Sequence, residues 1–584
     1  MQNTEYASIW DLGLQILRKE LTAEHNVLEK ITNAFLELVS VERLEYLRYV
    51  AFSPLCYLGI YTEILEPAIL NETRVYYTSA ANKKIASLSG TAFLAWAVQI
   101  LKDEGEDRVR RYIDKSSQQK LVKIIENSII KEHVDFMIAK GFRPAMATGN
   151  NQDLGTTYEL CKRVDQLRKL CSAFSSYVKE SGLVIIHEMS DNHNTVINVL
   201  SLKKKMDQLV KQGFCNDQLF LDALKDSFTS FLNFQPNKAA EIIARFVDSK
   251  LRNSSKQKDS ADDLDELFDR ILIIFRYVQG KDMFDAFFKR DLAKRLLLGR
   301  SMSIDTERMI LAKLKLECGP SFTSKSEGML KDMEASKKLM KEFKAEHAAD
   351  NFNVSILTQG YWPVYPQTPL NLPAEVLQWQ ESFHQFYNNK FNGRRLRWQS
   401  SLGHCLLKAN FPLGQREISL SHFQAAVLLL FNDSSEISFT ELLNQTEMEE
   451  SELKKTIQSL CFGPHKILSK MPEEPTIQSS DRFCVNDKFE AATYRLKVSS
   501  LMAKEPVETN SAISKQVMQN RQYQIDAAIV RIMKARKEIS HQQLCEEVQS
   551  QLNFPAGPAD LKKRIESLTS RYVLIYPKHL LMSL

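Results

Sequence analysis

The sequence predicts a mainly α-helical protein of several domains: an elongated stack of helical repeats, a four-helix bundle, a small α/β module and two winged-helix domains. Its 584 residues are too many for a single hydrophobic core. The 19 glycines and 17 prolines are roughly half of average usage, and both residues are disfavoured inside helices. Apolar residues also recur at helical spacing through most of the N-terminal half.

Composition disfavours several classes of protein. The formal charge is +5, from 77 basic and 72 acidic residues, so it gives no global argument for a nucleic-acid or membrane-surface partner. The 9 cysteines include no C-x-x-C pair, which argues against a disulfide framework and a zinc finger. Apolar runs stay below the roughly 20 residues that span a bilayer, and no secretory leader is visible. We therefore expect a soluble intracellular protein.

We assign residues 1–255 to a helical arm. Its apolar residues recur every three or four positions, beginning with Ile9, Leu12 and Ile16. A helical stretch of this length indicates stacked repeats, although no fixed internal period is visible. A polar gap at 253–263 then predicts a linker or loop.

A four-helix bundle is predicted at 256–350, because four amphipathic stretches follow one another with short connectors. These stretches cover 264–278, 282–298, 305–317 and 328–343.

A small α/β module is predicted at 351–412. Its segments 352–358 and 394–400 alternate apolar and polar residues, as half-buried strands do. A helix is expected at 375–386, and a further strand begins at His404.

Two winged-helix domains are predicted at 413–500 and 520–584, joined by a linker at 501–519. Both show two helices, a turn and a third helix, and the first adds hairpin strands at 467–470 and 482–485.

Long stretches of these modules resemble the cullin family, and within it the type 4 branch. One block begins Ile274-Phe-Arg-Tyr-Val-Gln-Gly-Lys-Asp-Met-Phe and a second runs Asp526-Ala-Ala-Ile-Val-Arg-Ile-Met-Lys-Ala-Arg-Lys. Gly360-Tyr-Trp-Pro and Trp398-Gln-Ser-Ser-Leu-Gly-His are similar to family sequence as well. The resemblance is firm from about 260 to 568 and weaker over the helical arm.

The resemblance implies a non-catalytic scaffold subunit of a cullin-RING E3 ubiquitin ligase, which acts in ubiquitin-dependent protein degradation and needs no cofactor or metal. Cullins bind a RING-box-type RING-finger protein, which adds a strand to the α/β module and recruits a ubiquitin-conjugating enzyme. The candidate RING-binding residues are therefore Val354, Ile356, Leu396 and Trp398. The family also implies a location in nucleus and cytoplasm.

Two further sites follow from the resemblance. Lys534 matches the lysine to which cullins attach a ubiquitin-like modifier, the reaction called neddylation. The second site is a basic surface for acidic segments of the conjugating enzyme, formed by Lys289, Arg290, Lys294 and Arg295. For that surface, a solvated helix face interleaved with acids is an equally weighted interpretation.

The chain departs from the family pattern at both ends. Its opening residues are similar to sequence further into the arm, so we expect the start of the first repeat to be missing. In the family, that repeat binds the adaptor, which is a β-propeller protein in the type 4 branch. The missing start therefore argues against substrate recruitment by the usual route. After Leu568 the expected hairpin is replaced, and Pro577 would interrupt a strand longer than 572–576.

Two alternative functions stay open. A truncated chain would serve as a regulatory decoy that sequesters the RING subunit. A DNA-binding winged helix is the other alternative, with Lys562, Lys563 and Arg564 on the groove-reading helix.

The hypothesis that this chain is an enzyme has little support in the sequence. No phosphate-binding, nucleophile-elbow or zinc-protease motif occurs. His404 and Cys405 are adjacent in a predicted strand and would face opposite sides of it. Cys318 is more simply explained as a packed thiol than as a thioester former.

Overall fold

The computed structural model describes most of the chain in segments separated by short gaps. The described ranges are 9–23, 25–44, 61–108, 114–187, 192–252, 261–347, 349–365, 367–411, 414–474, 476–486, 489–490, 493–498, 507–552, 554 and 556–570. The chain divides into two compact units, one ending at Phe234 and the other beginning at Gln235. None of the helices in these ranges combines the length and the apolar character of a membrane span.

The first unit is built mainly of α-helices, most of which bury apolar side chains in shared cores. In chain order they are α1 (Ile9–Ala23), α2 (His25–Leu44), α3 (Glu66–Ser87), α4 (Gly90–Lys102), α5 (Gln118–Ile125), α6 (Val134–Phe136), α7 (Arg143–Thr148), α8 (Asn151–Arg163), α9 (Leu167–His187), α10 (Asn192–Gly213) and α11 (Gln218–Leu232). The side chains of Ser89, Asn150 and Asp217 cap the helices that follow them by accepting hydrogen bonds from backbone N–H groups of the first turn. The predicted helical arm is thus confirmed as helical.

The second unit begins with α12 (Lys238–Leu251) and continues into the predicted bundle. The bundle helices are α13 (Ala261–Phe275), α14 (Lys281–Leu297), α15 (Ile304–Cys318) and α16 (Pro320–His347). The side chain of Ser303 caps α15, and Gly319 ends it with a positive φ of 87°, a conformation that favours glycine. The four predicted helices of the bundle are therefore present, and the fourth starts eight residues earlier than its pattern indicates.

The α/β part begins with helix α17 (Ala374–Lys390) and strand β1 (His404–Phe411). Strand β2 (Gly414–Ser421) pairs antiparallel with β1 along its whole length. Much later in the chain, β6 (Arg495–Lys497) pairs parallel with β2, so the sheet order is β1-β2-β6. The β1–β2 hairpin crosses the domain boundary that we predicted at 412.

The first winged helix lies between β2 and β6. Its helices are α18 (His422–Leu429), α19 (Phe439–Thr446) and α20 (Glu450–Cys461), and its strands are β3 (Glu436–Ser438), β4 (Leu468–Met471) and β5 (Arg482–Val485). The strands form a sheet of order β3-β5-β4. Reciprocal capping boxes at Ser421 and Ser438 start α18 and α19. The predicted hairpin is confirmed.

The last module consists of α21 (Val507–Arg536), α22 (His541–Gln551) and α23 (Pro558–Ser570). These helices share one apolar core around Ile529, Leu544 and Leu561. The predicted strand at 572–576 lies outside the described residues. The stretch 501–519, which we predicted as a linker, is helical from Val507 onward and buries Val517.

Candidate functional site

An extended segment after the bundle forms one wall of the candidate partner-binding site. Exposed and half-buried residues alternate from 351 to 356, as in a strand with one buried face. Val354 and Ile356 face inward and pack against a core that includes Phe343, Phe383 and Tyr387. We predicted a strand at 352–358, and among the described residues the segment pairs with no other strand.

The segment around Trp398 forms a second wall on the same core. Leu396 and Trp398 are half-buried and pack against it, whereas Arg395 and Arg397 are exposed. The ring of Trp398 lies 6.1 Å from that of Phe383 and 6.5 Å from that of Phe352, measured between centroids. The structure thus brings the four predicted RING-binding residues together on one apolar cluster.

Neither wall has a strand neighbour within the described part of the chain. The backbone N–H groups from Arg394 to Trp398 donate no hydrogen bond to described residues. Strand β1 is also at the edge of its sheet, since among the described residues it pairs with β2 alone. Unpaired strand-like segments beside an apolar cluster are a template for adding a strand from another chain.

Sequence reasoning missed the polar side chains that hold the first wall. Asp332 and Ser336 on α16 bond to residues of this segment and of the turn after it. The helix pattern could have predicted these contacts, because small polar and acidic residues on an otherwise apolar helix face are expected to have polar partners.

Lys534 lies in the last turn of α21 and is exposed. Its basic neighbours are engaged: Arg531 donates to Gln551, and Arg536 forms an ion pair with Glu547 at 2.9 Å. Lys534 itself has no ion pair or hydrogen bond with the described residues. Helix α21 fixes the backbone beneath it through the buried Ile529 and Ile532. The amine is therefore presented at a packed helix end, without a competing partner in the part of the chain that the structure describes.

Three family models match this chain. The cullin alpha solenoid domain matches residues 1–340, the cullin alpha+beta domain 356–489, and the cullin protein neddylation domain 520–573. The chain belongs to the cullin family. Cullins are scaffold subunits of E3 ubiquitin ligases.

Individual cullins from distant organisms match nearly the whole chain. Cullin-4A of Mus musculus is 40% identical over 98% of this chain and 76% of that protein. Cullin-4 of Dictyostelium discoideum is 37% identical, covering 97% and 76% of the two chains. Cullin-3A of Arabidopsis thaliana is 34% identical, covering 98% and 81%.

The prediction that Arg295 belongs to a basic surface of this cullin is wrong. Its side chain is 1% exposed and lies between two carboxylates, bonded to Glu307 at 2.8 Å and to Asp248 at 2.5 Å. Burial opposes its charge, but the hydrogen bonds and charges of these carboxylates outweigh that effect and raise its pKa. Arg295 belongs to the core because α14 is covered by neighbouring helices on this side.

The other members of that surface are only partly available. Lys289 forms an ion pair with Asp285, and Arg290 pairs with Asp291 at 3.0 Å. Lys294 is half-buried. Ion pairs within α14 therefore engage two of these basic side chains, and the surface we predicted is not a continuous basic face.

Residues weighed for other functions have ordinary surroundings in this cullin. His404 is exposed and Cys405 half-buried, as the strand alternation predicts, and burial raises the pKa of Cys405 to about 11. Burial also raises the pKa of Cys318, so both thiols are protonated at neutral pH. On the helix weighed for DNA binding, Arg564 pairs with Asp526 at 2.7 Å.

Proposed function

We propose that this cullin binds a RING-box-type RING-finger protein by accepting one of its strands between the walls formed by 352–358 and 394–400. The observation that carries the proposal is that both walls are strand-like, unpaired among the described residues and packed on one apolar core. An added strand that alternates apolar and polar residues would cover this core with its apolar face. Its backbone would form hydrogen bonds with the unpaired N–H and C=O groups of the two walls.

The proposed role of the chain in ubiquitin transfer is positional. The RING subunit recruits a charged ubiquitin-conjugating enzyme, and a folded helical scaffold raises the effective concentration of substrate near it. No chemical step is assigned to the cullin itself. Recruitment of a β-propeller adaptor, and the distribution between nucleus and cytoplasm, stay predictions.

We further propose Lys534 as the acceptor of the ubiquitin-like modifier. Its support is the exposed amine at the end of α21, which has no partner among the described residues and lies within the stretch matched by the neddylation domain.

Co-purification with a RING-box-type protein tests the proposed scaffold role. The tagged chain is expected to form a stoichiometric complex, and Leu396→Asp is expected to abolish it because a carboxylate would enter the apolar cluster. Val364→Asp is the matched control, since Val364 lies close to the first wall in sequence but is 86% exposed.

Absence of a complex with the well-folded parent chain would contradict the proposal, as would equal binding by both variants. The decoy hypothesis predicts the same complex, and it is tested separately by adding a β-propeller adaptor of the type 4 branch. Binding of the adaptor would contradict the decoy.

A further inference from the structure

The backbone of the first wall is fixed on one side by helix α16. The N–H of Ile356 donates to the hydroxyl of Ser336 at 2.8 Å, and that hydroxyl lies 2.7 Å from the carbonyl oxygen of Asp332. Ser336 is only 3% exposed, so this bond is shielded from water. The side of the segment that carries the Ile356 N–H therefore faces α16.

The carboxylate of Asp332 extends the same attachment two residues further along the segment. It accepts the backbone N–H of Thr358 at 2.8 Å, the Thr358 hydroxyl at 3.0 Å and the indole N–H of Trp362 at 2.8 Å. Hydrogen bonds to a charged acceptor are stronger than those between neutral groups. Asp332 thus anchors the end of the segment and the turn that follows it.

These attachments determine which edge of the segment is open. In an extended chain the N–H and C=O of one residue point to the same side, and those of the next residue point to the other. Ile356 and Thr358, two residues apart, share the side that faces α16. Asn353, Ser355 and Leu357 must then face the opposite side, and their N–H groups donate no hydrogen bond to described residues.

We propose that Ser336 and Asp332 are positioning residues that set the register of the strand-binding edge. By binding the backbone of Ile356 and Thr358, they leave Asn353, Ser355 and Leu357 as the residues that pair with the added strand. This inference rests on the proposed function, since it takes the occupant to be a strand of the RING-box-type protein.

The inward side chains support an added strand as the occupant of this edge. Val354 and Ile356 hold the segment on the apolar core, so its edge is presented beside a partly covered hydrophobic surface. The ring of Trp379, 38% exposed, stacks on Phe352 at 6.1 Å and prolongs that surface. An added strand would bury these rings with alternate side chains while its backbone pairs with the open edge.

Residue-resolved hydrogen–deuterium exchange tests the register. In the free 584-residue chain the amides of Ile356 and Thr358 are expected to exchange at least about tenfold more slowly than those of Ser355 and Leu357. With a recombinant RING-box-type protein added, Ser355 and Leu357 are expected to slow by at least about tenfold, with little change at Ile356 and Thr358.

Two results would overturn the inference while leaving the proposed function intact. One is a complex in which Ser355 and Leu357 are not slowed, and the other is fast exchange of Ile356 and Thr358 in the free chain. If no complex forms, the proposed function fails and the inference falls with it.

A pair of substitutions on α16 tests the role of Ser336 directly. Ser336→Ala removes the acceptor of the Ile356 N–H, so the Ile356 amide should exchange faster and the RING-box-type protein should bind about tenfold more weakly. Ser324→Ala is the matched control, because Ser324 is on the same helix, is exposed and bonds only to Ser321 among described residues. Thermal unfolding verifies that both variants stay folded. Equal binding and equal Ile356 exchange in the two variants would refute the positioning role.

Discussion

The environment of Arg295 determines its role more than its charge does. Its guanidinium connects three helices by binding Asp248 of α12 and Glu307 of α15 from its own position on α14. Ser301 donates a further hydrogen bond to Glu307. A buried cation of this kind is tolerated only while its carboxylates remain charged and in place.

Glu307→Gln is therefore expected to destabilise the second unit by about 3–5 kcal/mol, because it leaves a buried guanidinium partly uncompensated. Urea unfolding followed by circular dichroism measures the change. Asp305→Asn is the control, since Asp305 is on the same helix with a side chain 89% exposed. A similar midpoint for both variants would show that the pair contributes little.

Lys534 allows a second test on one side chain. Lys534→Arg keeps the positive charge at the end of α21 but removes the amine that an isopeptide bond requires, so we expect the conjugate to disappear. Incubation with the modifier and its conjugating enzymes, followed by mass spectrometry, detects the conjugate. Lys537→Arg is the matched control, since Lys537 is exposed and lies three residues further on. A conjugate at another lysine of the Lys534→Arg variant would contradict the assignment.

Among the elements, helix α21 differs most from its sequence prediction. We predicted a linker at 501–519, whereas the observed helix begins at Val507. The additional turns are stabilised by a contact with the bundle, where Arg521 binds both oxygens of Asp282 at 2.5 and 2.6 Å. The same guanidinium lies 5.1 Å from the ring centre of Phe554. Arg521 thus connects α14 of the bundle with α21, and it contacts Phe554 within the last module.

Arg521→Met is expected to loosen this contact while retaining much of the apolar stem of the side chain. Amide exchange should accelerate in the first half of α21 and the unit should lose about 1–3 kcal/mol, because Asp282 loses a charged partner while partly buried. Arg531→Met is the control, since Arg531 bonds to Gln551 within its own module. Unchanged exchange at 513–524 would show that the ion pair does not hold the helix.

At the scale of the whole molecule, the order of modules follows the sequence prediction, whereas the β1–β2 hairpin crosses the boundary predicted at 412. Strand β2 was not predicted, and it joins β1 to β6 across a winged helix of more than seventy residues. The polar sequence of Gly414–Ser421 carries a weak strand pattern, and its buried Ile418 and Leu420 become clear only through the pairing. The first winged helix is consequently an insertion between paired strands, and the other domain limits stay predictions.

The sequence by itself determined the helical class, the four bundle helices, the first winged helix and the family, because helical periodicity, capping residues and long motifs are local features of the chain. It also brought Val354, Ile356, Leu396 and Trp398 into one hypothesis, although only through the family resemblance. The tertiary structure decided which groups face each other. Arg295 is buried, Arg521 binds the bundle, and Ser336 and Asp332 fix one edge of the first wall. These outcomes depend on residues distant in sequence, whose proximity no local pattern encodes.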